Sequence, residues 1–232
     1  MTAAAKSADE VKRKRDAKRD AIVLAAAPHV AFDGWGEAAL IAGARDAGFD
    51  AGTAKRLFPE GAVDAIARMA AIADREMIKA MEAADLNAMR VRDRIIFGVR
   101  ARLEFLTPHR EAVRAGLGVL MRPTHAGLMA RITHTTIDEI WYQAGDRSVD
   151  FNYYTKRGLL AAVYAPTVLY WLNDSSEGCR DTWDFLARRI DDVLKIPPLK
   201  AKVMNRLETL FKDGPFKMGP FRRAHGDVRM RP

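Results

Sequence analysis

An all-α fold follows from two features of the 232-residue chain. Alanine, the strongest helix former, is abundant throughout. β-Branched residues and the every-second-residue alternation of half-buried strands are scarce, whereas apolar residues return at helical spacing. The length is enough to bury a real core in one large or two small domains.

The elements can be taken in order. A first helix starts within the charged opening segment and runs through Ile22 and Leu24 to Ala27 or Phe32, where Gly34 and Gly36 break it. Glu37 to Ala47 forms a second, stopped by Gly48. Asp50 caps a short third, Ala51 to Phe58, ended by Pro59 and Gly61. Three short helices joined by tight glycine turns make a helix-turn-helix arrangement.

Ala62 to Ala84 is a long amphipathic helix with Ile66, Met69, Ile72, Met77 and Met81 on or near one stripe. Val91 to Leu106 follows, with Ile95, Ile96, Val99, Leu103 and Leu106 inward and the basic residues expected outside. Thr107 and Pro108 open a helix to Met121, and Pro123 opens another that ends at Gly145. Asp150 caps the helix Phe151 to Leu172, in which Pro166 predicts a kink. Cys179 to Leu194 is next, and Pro197-Pro198 closes the globular part.

Beyond that step, residues 199–211 form a short amphipathic helix. Leu199, Val203, Met204, Leu207, Leu210 and Phe211 share one arc, with Lys202 and Arg206 on the cationic back. That pairing suits a membrane surface, and the same stripe would serve equally well a last helix folded onto the domain; each such side chain buried contributes roughly 1.5–3 kcal/mol.

Net charge is +8, but the ends carry it: residues 195–232 hold a basic surplus of seven and residues 1–20 a surplus of three, leaving the middle near neutrality. A basic globular surface for nucleic acid is therefore not indicated, and the placement is equally compatible with tails drawn to anionic lipid headgroups. No apolar run reaches the ~20 residues of a membrane span. The start has no hydrophobic signal region, and Asp9, Glu10, Asp16 and Asp20 argue against a mitochondrial presequence. The expected location is the bacterial cytoplasm, peripheral on the inner membrane. Cys179 is the sole cysteine, which excludes an internal disulfide and a thiolate cage.

Catalytic chemistry is hard to find. The five histidines are scattered without metal-ligand spacing, and the adjacent carboxylates at Asp138–Glu139 and Asp191–Asp192 diverge on a helix rather than forming a dyad. No enzyme, metal or cofactor is expected.

Two stretches are more specific. Residues 141–160 read W-Y-Q-A-G-D-R-S-V-D-F-N-Y-Y-T-K-R-G-L-L, and residues 181–193 read D-T-W-D-F-L-A-R-R-I-D-D-V. Both resemble the signature of the TetR-like accessory proteins of ubiquinone biosynthesis, which bind isoprenoid lipid and assist the di-iron demethoxyubiquinone hydroxylase. Residues 34–58 also look like the N-terminal domain of TetR-type repressors, although Thr53, Lys55 and Arg56 are the only polar side chains their readout helix would offer.

The resemblance, which covers most of residues 20–195, implies a TetR-like fold; the chain is expected to divide into a charged flexible segment (1–19), a helix-turn-helix-like domain (20–60), a helical lipid- and partner-binding domain (61–196), the amphipathic membrane helix (197–213) and a disordered basic tail (214–232). It implies a partner surface at Tyr153, Tyr154, Lys156 and Arg157 with Asp150 as supporting cap. An apolar cavity would hold a polyisoprenoid tail, with Phe97, Leu120, Leu128, Ile132, Leu159, Val163 and Leu169 as candidate lining. The expected function is non-enzymatic: binding an isoprenoid lipid or ubiquinone precursor at the membrane and presenting it to the hydroxylase, as a homodimer. The alternative is a TetR-type DNA-binding regulator with a hydrophobic ligand.

Overall fold

Helix geometry can be followed in a computed structural model, which describes residues 3–147 and 151–195. The residues proposed for the membrane helix, 199–211, and Asp150 lie outside that range. Among the described residues there is no strand. Nine α-helices are described: α1 (Ala3–Asp33), α2 (Glu37–Asp46), α3 (Ala51–Leu57), α4 (Ala62–Ala83), α5 (Val91–Leu106), α6 (Arg110–Leu120), α7 (Ala126–Gln143), α8 (Phe151–Leu172) and α9 (Arg180–Lys195). Residues 1–191 form one packed unit; of a second, residues 192–232, only the last turn of α9 is described.

The charged opening segment, expected to be flexible, is helical from Ala3. Asp16 and Asp20 face α4: Arg68 donates from Nε to Asp20 (2.5 Å) and pairs with Asp16 (3.2 Å), and Arg75 reaches the other Asp20 oxygen at 2.6 Å. Two arginines of α4 thus hold one face of α1 at half-buried positions, where ion pairs are screened less than at the open surface. The apolar continuation of α1, with Ile22, Val23, Ala26 and Val30 buried, packs on α2, α4 and α6. Gly43 makes the α1–α2 contact possible, because a Cβ there would lie 2.6 Å from Ala26 backbone nitrogen.

The α2–α3 turn has a mechanism legible in its residues. Gly48 adopts φ +78, its N–H bonds to the Arg45 carbonyl, and the Phe49 N–H returns to Ala44, a Schellman closure. Asp50 then accepts from the Thr53 N–H at 2.9 Å as the cap of α3.

Helix α4 runs through the middle of the unit and touches α1, α5, α6 and α7. Its buried Ile66, Met69, Ile72, Met77 and Met81 fulfil the predicted stripe. The helices expected to open at Thr107 and Pro123 each begin with a single 3₁₀ turn that carries the proline, before α6 and α7 proper. α8 continues through Pro166 as a single helix, and the Thr167 hydroxyl donates back to the Val163 carbonyl at 2.7 Å. α9 is fixed by buried Leu186 and Ile190, by the stacking of Phe185 on Tyr170 (4.8 Å) and by Arg92 bonded to Asp191 (2.5 Å).

Candidate functional site

Helices α4 to α8 converge around a cavity of about 230 Å³, with Trp35, just ahead of α2, closing one side. Most of its wall is apolar: Ile66 and Met69 of α4, Leu106 of α5, Leu117 and Leu120 of α6, Met129 and Ile132 of α7, Val168 and Leu169 of α8. Met121 and Leu169, which line it, are 71% and 56% exposed, so the cavity reaches the surface between the end of α6 and the end of α8.

The opposite end is polar. Arg102, Thr136 and Tyr164 line it and are all buried. Arg102 donates from Nε to Asp74 (2.7 Å) and from Nη1 to the Tyr164 hydroxyl (2.8 Å), and Thr136 donates to the same Asp74 oxygen (2.8 Å). Burial pushes the Tyr164 phenol above its ordinary value, so it stays protonated. A buried cation is thus matched by a buried anion, and each is hydrogen-bonded, the condition under which charges persist inside a protein.

Of the seven candidate lining residues, Leu120, Ile132 and Leu169 border the cavity; Phe97, Leu128, Leu159 and Val163 do not. Angular position explains the split. On α7 the lining residues are Met129, Ile132, Thr133 and Thr136, and Leu128 sits ~100° round the helix from Met129. On α8 they are Tyr164, Ala165, Val168 and Leu169, and Val163 turns to packed core instead. Phe97 lies five residues, roughly 140° round α5, from Arg102.

The proposed partner surface divides in a similar way. Tyr154 is 69% exposed, its ring edge-on to Tyr153 at 5.1 Å. Tyr153 is half-buried, and its hydroxyl donates to Asp138 at 3.0 Å. Burial pushes its phenol upward, an effect that the Asp138 bond reinforces and Arg157 opposes. Lys156 lies over the Trp141 ring and bonds to Asp146 at 2.7 Å. Arg157, expected on the surface, is instead only 6% exposed: it bonds to Asp138 through Nε (2.7 Å) and Asp146 through Nη1 (3.0 Å), beneath the Tyr153 ring. Its position one turn after Tyr153 on α8 turns it toward Asp138 of α7 and Asp146 in the turn that follows α7.

The polar side chains of α3 are engaged locally. The Thr53 hydroxyl donates to Asp50, Arg56 donates to Thr53 and faces Asp50, and Lys55 lies 3.8 Å from Glu37.

Residues 126–197, which include α7, α8 and the whole signature stretch, match the family model described as COQ9. The chain is similar to the COQ9 proteins. It is 34% identical over 205 residues to the mitochondrial ubiquinone biosynthesis protein COQ9 of Drosophila melanogaster, covering 87% of this chain and 63% of that protein. The human COQ9 is 29% identical over 196 residues, covering 82% and 61% respectively. This chain therefore spans about three fifths of the length of these curated relatives. A solved TetR transcriptional regulator from Nitrosomonas europaea superposes with a TM-score of 0.62 at 23% identity, covering 76% of this chain and 97% of the regulator. The TetR-like fold is thereby established.

The COQ9 matches also correct the expected bacterial cytoplasmic location, because these relatives are named mitochondrial. The acids that argued against a presequence have another use: Asp16 and Asp20 pair with Arg68 and Arg75, and Glu10 with Lys14.

Sequence reading missed the polar end of the cavity, having placed the basic residues of α5 outside. The signal was present. Arg102 falls in register with Ile95, Val99 and Leu106, and Asp74 with Ile66, Met77 and Met81. Opposite charges, one in each of two apolar stripes, point to a buried pair.

Proposed function

We propose that this COQ9-like chain is a non-enzymatic accessory protein of ubiquinone biosynthesis. It binds an isoprenoid quinone precursor between α4 and α8 and presents it to the demethoxyubiquinone hydroxylase. Tyr154 and Tyr153 form the centre of the docking surface, and Lys156 its rim. The amphipathic segment 199–211 meets the membrane, and the working unit is a homodimer.

The observation that carries this reading is the open, apolar cavity. At about 230 Å³ it exceeds the roughly 150 Å³ that accepts a benzene ring, and falls below the 300–1,000 Å³ of sites that engulf a whole drug-sized ligand. It therefore suits one segment of a long apolar molecule whose remainder leaves through the mouth at Met121 and Leu169. The COQ9 names of its relatives direct the choice toward the ubiquinone series.

Lipid extraction and mass spectrometry of the purified full chain test the proposal. An isoprenoid quinone or precursor is expected to co-purify, and to be lost from an Ile132→Trp variant whose ring fills the cavity. Recovery of no lipid, or equal recovery from the variant, overturns the cavity reading. Liposome co-sedimentation of the full chain against a truncation at Ile196 tests the membrane segment, and equal binding by both removes it.

A further inference from the structure

The cavity has a direction. Tyr164 lies five residues before Leu169 on α8, about 7 Å of helix rise, and Thr136 seven residues after Met129 on α7, about 10 Å. The wall is thus apolar and exposed at one end and polar and buried at the other. A tail-binding pocket has no need of a buried arginine, aspartate, threonine and tyrosine at its closed end, each costly to desolvate.

The polar end retains a donor. The Tyr164 hydroxyl accepts from Arg102, which occupies an oxygen lone pair and leaves the phenolic proton. No acceptor for that proton is found among the described residues, although Tyr164 is only 7% exposed and borders the cavity. Arg102 orients it, since a hydroxyl that accepts from a guanidinium directs its own O–H away from the cation. Asp74 already balances the charge of Arg102 at 2.7 Å, so the closed end is electrically neutral. An entering carboxylate would bring an uncompensated negative charge into a low-dielectric site, whereas a neutral carbonyl oxygen would take the proton without that cost.

Resting on the cavity reading above, we infer that Tyr164, positioned by Arg102 and Asp74, selects ligands that carry a neutral carbonyl oxygen on their leading end. Such a ligand enters head first, its oxygen accepts from the Tyr164 hydroxyl, and its hydrocarbon tail lies along Ile132 and Val168 to the mouth. The expectation from sequence is a cavity that holds a polyisoprenoid tail; here its closed end takes the head. This orientation makes Tyr164 a specificity determinant.

Isothermal titration of the full chain with three probes that share a decyl tail tests the inference: a fully substituted dimethoxy-methyl-benzoquinone, decylbenzene and decanoate. The wild-type chain is expected to bind the quinone at least about five-fold more tightly than either other probe, the worth of one buried hydrogen bond. Tyr164→Phe removes the hydroxyl while leaving the Arg102–Asp74 pair, and is expected to erase the preference for the quinone over decylbenzene while decanoate stays excluded. Infrared spectra give a readout on the unmutated chain, in which the carbonyl stretch of bound quinone is expected at lower wavenumber than in hexane. An unshifted carbonyl, equal affinity for quinone and decylbenzene, or tighter binding of decanoate overturns the head-first inference. The Ile132→Trp variant separates the two levels: if it binds both neutral probes like wild type, the cavity itself is not the site. If it binds neither while Tyr164→Phe matches wild type, the cavity stands and the role of Tyr164 falls.

Discussion

Arg157 Nη1 stands 3.0 Å from Asp146 Oδ2, with both side chains about 5% exposed, so the basic residue of the signature motif is a strut between α8 and the end of α7. Asp146 is itself aimed by the turn at Gly145 (φ +97), where the Asp146 N–H closes on the Trp141 carbonyl. Removing Arg157 takes the guanidinium from the buried Asp146 carboxylate, which keeps Lys156 at 2.7 Å, and from part-buried Asp138. Arg157→Ala is therefore expected to cost about 3–5 kcal/mol, read as a lowered midpoint in urea denaturation with an unchanged slope. A cost below ~1 kcal/mol, with partner binding nonetheless abolished, would return Arg157 to the docking surface.

Tyr154 is expected to behave oppositely. Its ring is mostly in solvent, so Tyr154→Ala should change stability by no more than ~0.5 kcal/mol. An exposed tyrosine at the centre of an interface commonly contributes ~2 kcal/mol or more to binding, so affinity for the hydroxylase should fall roughly thirty-fold. Surface plasmon resonance with the immobilised hydroxylase measures it; unchanged affinity moves the interface elsewhere.

These two residues also mark what sequence alone can resolve. Helix limits were legible where a local cause set them: Asp50 caps α3, Gly48 closes α2, and α8 ends at Leu172, just ahead of the expected Asn173 loop. The direction of a side chain within the signature was not legible, because Tyr154 and Arg157 are equally polar on paper and only the placement of Asp138 and Asp146 separates them. Cavity lining failed for the same reason. Val163 and Val168 are the same residue type on the same helix, yet only Val168 faces the hollow. The ion pairs that tie Asp16 and Asp20 of α1 to α4 depend on Arg68 and Arg75, some fifty residues away.

Asp174 gives the fold a pH-dependent clamp. Burial pushes its carboxyl upward, but bonds from the Ser176 N–H (2.8 Å) and from the N–H (2.9 Å) and hydroxyl of Thr182 outweigh this and hold it at about 2. The folded value lies below the unfolded one of 3.8, so the stabilisation is complete above pH ~4 and is lost as pH falls toward 2. The shift corresponds to about 2 kcal/mol. Wild type should lose that amount more than Asp174→Asn between pH 5 and pH 2 in guanidinium titrations. Parallel pH curves for the two proteins would remove the clamp.

Gly43 is expected to be as intolerant as the buried ion pairs, for a steric reason alone. A Cβ at this position would meet the Ala26 nitrogen at 2.6 Å and its Cα at 2.7 Å, and these are backbone atoms of a helix that cannot rotate aside. Alanine would ordinarily favour a mid-helix site by roughly 0.5–1 kcal/mol over glycine. Here overpacking, typically 1–3 kcal/mol, opposes that gain and should exceed it, since α1 must move away from α2 as a body. Gly118 supplies the control: it lies in α6, and a Cβ added there would meet nothing within 4 Å among the described residues, so Gly118→Ala should stabilise. Thermal denaturation of both variants should shift the midpoint down for Gly43→Ala and up for Gly118→Ala, and two upward shifts would show that α1 and α2 do not pack this closely in solution.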